Sequence, residues 1–212
     1  QDAEVRENGI KYSSFGLLFR EFGKDFLKKR NMDDVEEAFT MIEKELIEGI
    51  DAIDNGMFPE ITAPYKVKTI SDVIKLFNPS YGSRQTESEQ FIKAVDLAKT
   101  ILEELLMNVS GKVKAKKIVL EKIKKEKKDY LELEEFLPYE ETILKEEAGN
   151  HLLFVMYPSN RGGYGIKTIK KSLEDKTDRL PFCHTGRFLV TCKTKEAAYQ
   201  VLDKVLPKEN KE

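Results

Sequence analysis

Leu152-Leu-Phe-Val-Met-Tyr157 is an unbroken apolar run, and its reading decides the fold. It is too short for a core helix and rich in strand-forming side chains, so it reads as a buried strand. Arg161-Gly162-Gly163 supplies a hairpin turn and Tyr164-Gly-Ile-Lys-Thr-Ile169 the returning strand. Arg187-Phe-Leu-Val-Thr-Cys192 reads as a third strand. Thr194-Lys-Glu196 then caps a final helix carrying Ala197, Ala198, Val201, Leu202 and Val205. The second half is thus expected to be a small α+β unit.

Upstream of this run the pattern is helical. Ser13-Ser14 stands before Phe15, Leu18, Phe19, Phe22 and Phe26, a helix start followed by apolar residues at i, i+3, i+4 spacing. Gly23 weakens that stripe. Val35, Ala38, Phe39, Ile42, Leu46, Ile50 and Ile53 predict one long amphipathic helix that stops at Asn55-Gly56. Thr69 opens a short helix through Phe77, ended by Asn78-Pro79. Residues 81–89 read as a polar loop, and Phe91 to Leu105 as another helix. Asn108-Val-Ser-Gly111 is expected to break it, which sets domain boundaries at 1–110 and 111–212. Residues 112–128 are dense in lysine with apolar positions at helical spacing, either a solvated face or a face that meets nucleic acid.

Composition narrows the function classes. The 212 residues are 40% hydrophobic and 35% charged, enough apolar content for a core. Lys+Arg 36 against Asp+Glu 38 gives a net charge of -2, which excludes a wholesale polyanion-binding surface but not a local basic patch. The two cysteines, Cys183 and Cys192, exclude a disulfide scaffold and a four-cysteine zinc site. No apolar run approaches a membrane span, and the chain opens on polar residues. A soluble protein of a reducing compartment is expected. With only His151 and His184 present, a metal site built from this sequence would be rich in carboxylates.

Two segments carry candidate chemistry. Asp51-Ala-Ile-Asp54-Asn55-Gly56 places two carboxylates at i, i+3 on one helix face, at a helix C-terminus where the dipole disfavours negative charge. A divalent cation is one natural compensation; one capping Asp and one solvated Asp, with Gly56 as the helix stop, are the plain alternative. Cys183-His184-Thr185-Gly186-Arg187 is the second. Thr, Gly, Arg and a neutral His in one turn suit a phosphate held by backbone N–H groups and charge-assisted bonds. A satisfied turn histidine is its alternative, and His151 reads as structural.

Several fragments together resemble a known family. Lys11-Tyr-Ser13-Ser14-Phe-Gly16-Leu-Leu-Phe19, Ile50-Asp51-Ala-Ile-Asp54-Asn55-Gly56, Leu76-Phe-Asn78-Pro79, Phe91-Ile-Lys-Ala94-Val95, Phe154-Val-Met-Tyr157, Arg179-Leu-Pro181 and His184-Thr-Gly186-Arg-Phe188 occur in its order. So does Lys193-Thr194-Lys-Glu196. The chain resembles the melanocyte proliferating gene family, once labelled metal-dependent protein hydrolases and now placed among Asp-His-His phosphoesterases. The resemblance implies an α/β and α+β chain: a mostly helical C-terminal part of an Asp-His-His phosphoesterase domain, then a small α+β substrate-binding domain. It implies a 3′–5′ exoribonuclease that uses Mn²⁺ or Mg²⁺ to release mononucleotides from single-stranded RNA or short oligonucleotides.

The resemblance also implies Asp54 as a metal ligand, with Asp51 second. Ser13 and Ser14 would lie near the metals, and His184, Thr185, Gly186, Arg187 and Arg179 would grip substrate. The family's His/Asp metal motif and Asp-His-His signature do not occur in these residues, so the chain is expected to lack part of the metal site and to be inactive by itself. A homodimer is an expectation of the same kind. So is a nuclear and mitochondrial location in a eukaryote, or a cytoplasmic one in a prokaryote. A non-catalytic module that binds nucleic acid or another partner is the alternative.

Overall fold

The computed structural model describes residues 4–60, 62–174, 179 and 189–206. It divides into two compact units, residues Gln1–Val113 and Lys114–Glu212. The first is helical and the second combines helices with a four-stranded sheet.

In the first unit α1 (Ser14–Lys29) begins at Ser13, whose hydroxyl accepts the Phe15 N–H. Then α2 (Val35–Ile42) begins at Asp34, whose carboxylate accepts the Glu37 N–H. The expected long helix continues from α2 through a π-helical turn, Glu43–Ile47, into α3 (Glu48–Asp54), and ends as expected at Asn55-Gly56. Leu27, Ala38, Ile42 and Ile47 pack with Leu106, Val109 and Val113 into one core. Gly23, which weakens the sequence pattern of α1, is explained by this packing. A Cβ there would stand 2.9 Å from the Phe39 ring and 3.0 Å from Phe19, two rings that stack with centroids 4.6 Å apart. The short helix α4 (Ile70–Ile74) carries a reciprocal capping box between Thr69 and Asp72 and runs on through a 3₁₀ turn, Lys75–Phe77.

One expectation is corrected here. No break occurs at Asn108–Gly111: α5 runs without interruption over Glu87–Lys125, 39 residues. Val109 and Val113 are buried in the first core, and Ala115, Val119 and Ile123 form a second buried run at i, i+4 spacing beyond it. Burial of that stripe outweighs the weak helix propensity of Asn108, Ser110 and Gly111, and Asn108 and Gly111 face solvent. The helix also begins earlier than its apolar pattern, at Thr86, where Thr86 and Glu89 exchange side-chain-to-backbone hydrogen bonds.

In the second unit the sheet has the order β1-β2-β3-β4, with β1 (Tyr130–Glu132) parallel to β2 (Phe154–Pro158). Next, β2, β3 (Tyr164–Thr168) and β4 (Leu189–Cys192) pair antiparallel. The parallel crossover carries α6 (Glu140–Lys145). Phe154, Met156 and Ile166 face α7 (Lys195–Val205) through Ala198 and Leu202. Val155 and Leu131 face the other way, onto Val119, Ile123 and Ile143. A sheet covered on both faces explains why β2 reads as a continuous apolar run rather than an alternating one. Among the described residues no helix is long and apolar enough to cross a membrane.

A continuous α5 has a direct consequence. A Cβ at Gly111 would meet no atom within 4 Å, so Gly111→Ala is expected to raise the unfolding free energy by about 0.5–1 kcal/mol. Chemical denaturation checks this; a loss of stability would restore the break.

Candidate functional site

The candidate carboxylates part company. Asp54 is exposed, whereas Asp51 is 0% exposed and fully engaged. Arg6 Nη2 donates to Asp51 Oδ2 at 2.6 Å, and the Gly16 N–H donates to Oδ1 at 3.1 Å. The Ser13 hydroxyl makes a short hydrogen bond to the same Oδ1. Ser13 and Gly16 belong to the first turn of α1, so the carboxylate at the end of α3 sits on the positive end of another helix. The compensation that its position demanded comes from a guanidinium and a helix N-terminus.

Arg6 is the residue that sequence reasoning missed. Its side chain is 6% exposed and bonds Glu43 as well as Asp51, with Nε donating to Glu43 Oε1 at 2.7 Å. Burial works to lower the Arg6 pKa, but the hydrogen bonds and charges of Asp51 and Glu43 outweigh it and raise the value. Tyr12 covers the guanidinium with its ring centroid 3.8 Å away. An antiparallel bridge, Val5↔Lys11, folds residues 4–12 back to hold Arg6 there, and Asn55 Nδ2 ties α3 to the Lys11 carbonyl at 3.1 Å. An arginine in a short polar segment has no periodicity to betray its burial. Only the unexplained charge of Asp51 pointed to a partner.

Ser14 is exposed in the first turn of α1. Arg179 is given over to main chain: Nη1 donates to the carbonyls of Gly149 at 2.7 Å, Leu152 at 2.8 Å and Asn150 at 3.1 Å, and Nε to that of Lys170 at 3.1 Å. Burial lowers its pKa. It fastens the turn that precedes β2. His184, Thr185, Gly186 and Arg187 lie outside the described residues, as does Cys183. His151 is exposed. In the lysine-dense stretch, Lys112 pairs with Glu45 at 2.7 Å and Lys122 with Glu134 at 3.2 Å.

A divalent cation does not fit the described residues. Asp51 already faces a guanidinium and two further donors, and Asp54 offers one exposed carboxylate. No group of three or more His, Cys, Asp or Glu able to hold a metal ion occurs among the described residues.

Comparison with known proteins adds lineage. The family model MYG1_exonuc, described as uncharacterised protein family UPF0160, matches residues 2–182. The MYG1 protein of Dictyostelium discoideum is 24% identical over 195 residues, covering 82% of this chain and 59% of that protein. The MYG1 protein C694.04c of Schizosaccharomyces pombe is 26% identical over 189 residues, covering 80% of this chain and 58% of that protein. The chain thus spans less than two thirds of the length of these curated relatives. No solved structure matches it significantly.

The seat of Asp51 requires glycine at position 16. A Cβ there would lie 1.8 Å from Asp51 Oδ2. Gly16→Ala is therefore expected to cost at least about 2 kcal/mol of stability in chemical denaturation, through the clash and the displaced ion pair. A neutral substitution would show that Asp51 does not occupy this seat.

Proposed function

We propose, because the chain belongs to the family MYG1_exonuc, uncharacterised protein family UPF0160, that it serves in a nuclease: the nucleic-acid-binding part of a metal-dependent 3′–5′ exoribonuclease acting on single-stranded RNA. The observation that carries this reading is the family match itself, which runs through residues 2–182. The family is uncharacterised by its own description, so the exonuclease in its label is a lead and the substrate is this proposal's own.

On this reading the chain's residues bind and orient RNA. His184, Thr185, Gly186 and Arg187 are the proposed grip on a terminal phosphate or nucleotide, an anion that an arginine and a hydroxyl donor suit. Asp51 acts earlier in the causal order, by fixing the start of α1 against α3. The Mn²⁺ or Mg²⁺ implied by the family resemblance finds no home among the described residues, so no catalytic step is assigned to this chain through a metal.

The lysine-dense residues 112–128 favour a second reading, a module that binds nucleic acid without cleaving it. Two assays separate the possibilities. The 212-residue chain is expected to bind a 5′-labelled single-stranded oligoribonucleotide in EDTA, with affinity falling as salt rises, and to release no mononucleotide when Mn²⁺ replaces EDTA. Absence of binding would remove RNA as the substrate class. Release in Mn²⁺ would place a working metal centre within the chain and overturn the division of labour proposed here. In the full-length MYG1 protein of Dictyostelium discoideum, Mn²⁺-dependent shortening from the 3′ end is expected, and binding without shortening would favour the module.

A further inference from the structure

A cleft of about 750 Å³ lies in the helical unit between the α4 segment and the first turns of α5. Its size is that of a small-ligand site. Its walls are mostly apolar, and the polar groups in them are of an unusual kind. Asn78, Gln85 and Gln90 are among the residues that line this apolar cleft, and each carries a carboxamide with both a donor and an acceptor. Gln90 is 6% exposed, and its Nε2 is buried with no hydrogen-bond partner. A buried donor in that state is costly until an acceptor meets it. The adjacent Phe91 is 69% exposed although it lines the same cleft, and Phe77 joins it from the 3₁₀ turn.

These features select among ligands. An acyl chain would leave the carboxamides unmet. A free phosphate would find Glu87 on the cleft wall as well as Lys75. A flat heterocycle satisfies both halves of the lining, its face against the aromatic ring and its edge against carboxamides. We propose that this cleft binds a nucleobase, stacked on Phe91 and read along its edge by Gln90 with Asn78 and Gln85. The choice of a base among flat heterocycles rests on the RNA reading above; the cleft chemistry does not.

The test titrates the full chain, in EDTA, with adenosine, uridine and ribose 5-phosphate. Binding is followed through the Gln90 side-chain amide signals in ¹⁵N–¹H spectra, assigned by their loss in Gln90→Leu. A saturable shift with at least one nucleoside and none with ribose 5-phosphate is expected. Phe91→Ala, at an exposed position that leaves the fold intact, is expected to weaken nucleoside binding at least about fivefold. It keeps the test decisive if Gln90→Leu fails to fold. No saturable shift with either nucleoside, an equal shift with ribose 5-phosphate, or binding indifferent to Phe91→Ala would each overturn the proposal. The result stands apart from that of the RNA assays. Nucleoside binding without RNA binding removes only the RNA reading, and RNA binding without nucleoside binding removes only this cleft.

Discussion

The helical unit depends on one buried ion pair. Asp51 closes α3 with a carboxylate that no water reaches, and such a charge persists in a protein interior only when it is paired and hydrogen-bonded. Arg6 supplies the pair, Ser13 and the Gly16 N–H supply the bonds, and Glu43 shares the guanidinium. Two stretches distant in sequence are thereby fixed to one point: residues 4–16, which run into the start of α1, and residues 43–54, the π-helical turn with α3. Neither a smaller basic group nor a larger residue at position 16 meets the same geometry, because the fork of the arginine reaches two carboxylates and the missing Cβ admits one of them.

The second unit answers to a different constraint. Its sheet is apolar on both faces, so it needs cover on both. One face takes α7, and the other takes α6 and residues 119 and 123 of α5. Val109 and Val113 belong to the first unit's core and Val119 and Ile123 to the second's, so α5 contributes buried residues to each. The weak helix formers between Asn108 and Gly111 are carried along by the buried residues on either side. Arg179 secures the entry to β2 by collecting the carbonyls of the preceding turn.

Much of this was legible in the residues. Strands β2 and β3 announced themselves by apolar content and by the glycine pair between them, and α1, α4 and α7 by hydroxyl caps at Ser13, Thr69 and Thr194. What escaped has physical causes. Strand β1 is three residues long, too short for any period to register. The apparent break in α5 followed local propensity, which long-range burial overrode. At the candidate site the sequence identified Asp51 as a charge in want of a partner, and offered a cation. The partner is Arg6, 45 residues away, a distance that no local pattern encodes. Family membership explains why the fragments occur in order.

The helical unit therefore stands on the hold of Arg6 on Asp51. A double-mutant cycle measures this most directly: Arg6→Met, Asp51→Leu and the double variant, unfolded by denaturant in EDTA. The expected result is a heavy loss for each single variant, a smaller loss for the double, and a coupling of at least about 2 kcal/mol. Additive effects with no coupling would mean that Asp51 is free of Arg6 in solution, and would return it to the pool of residues available to a metal.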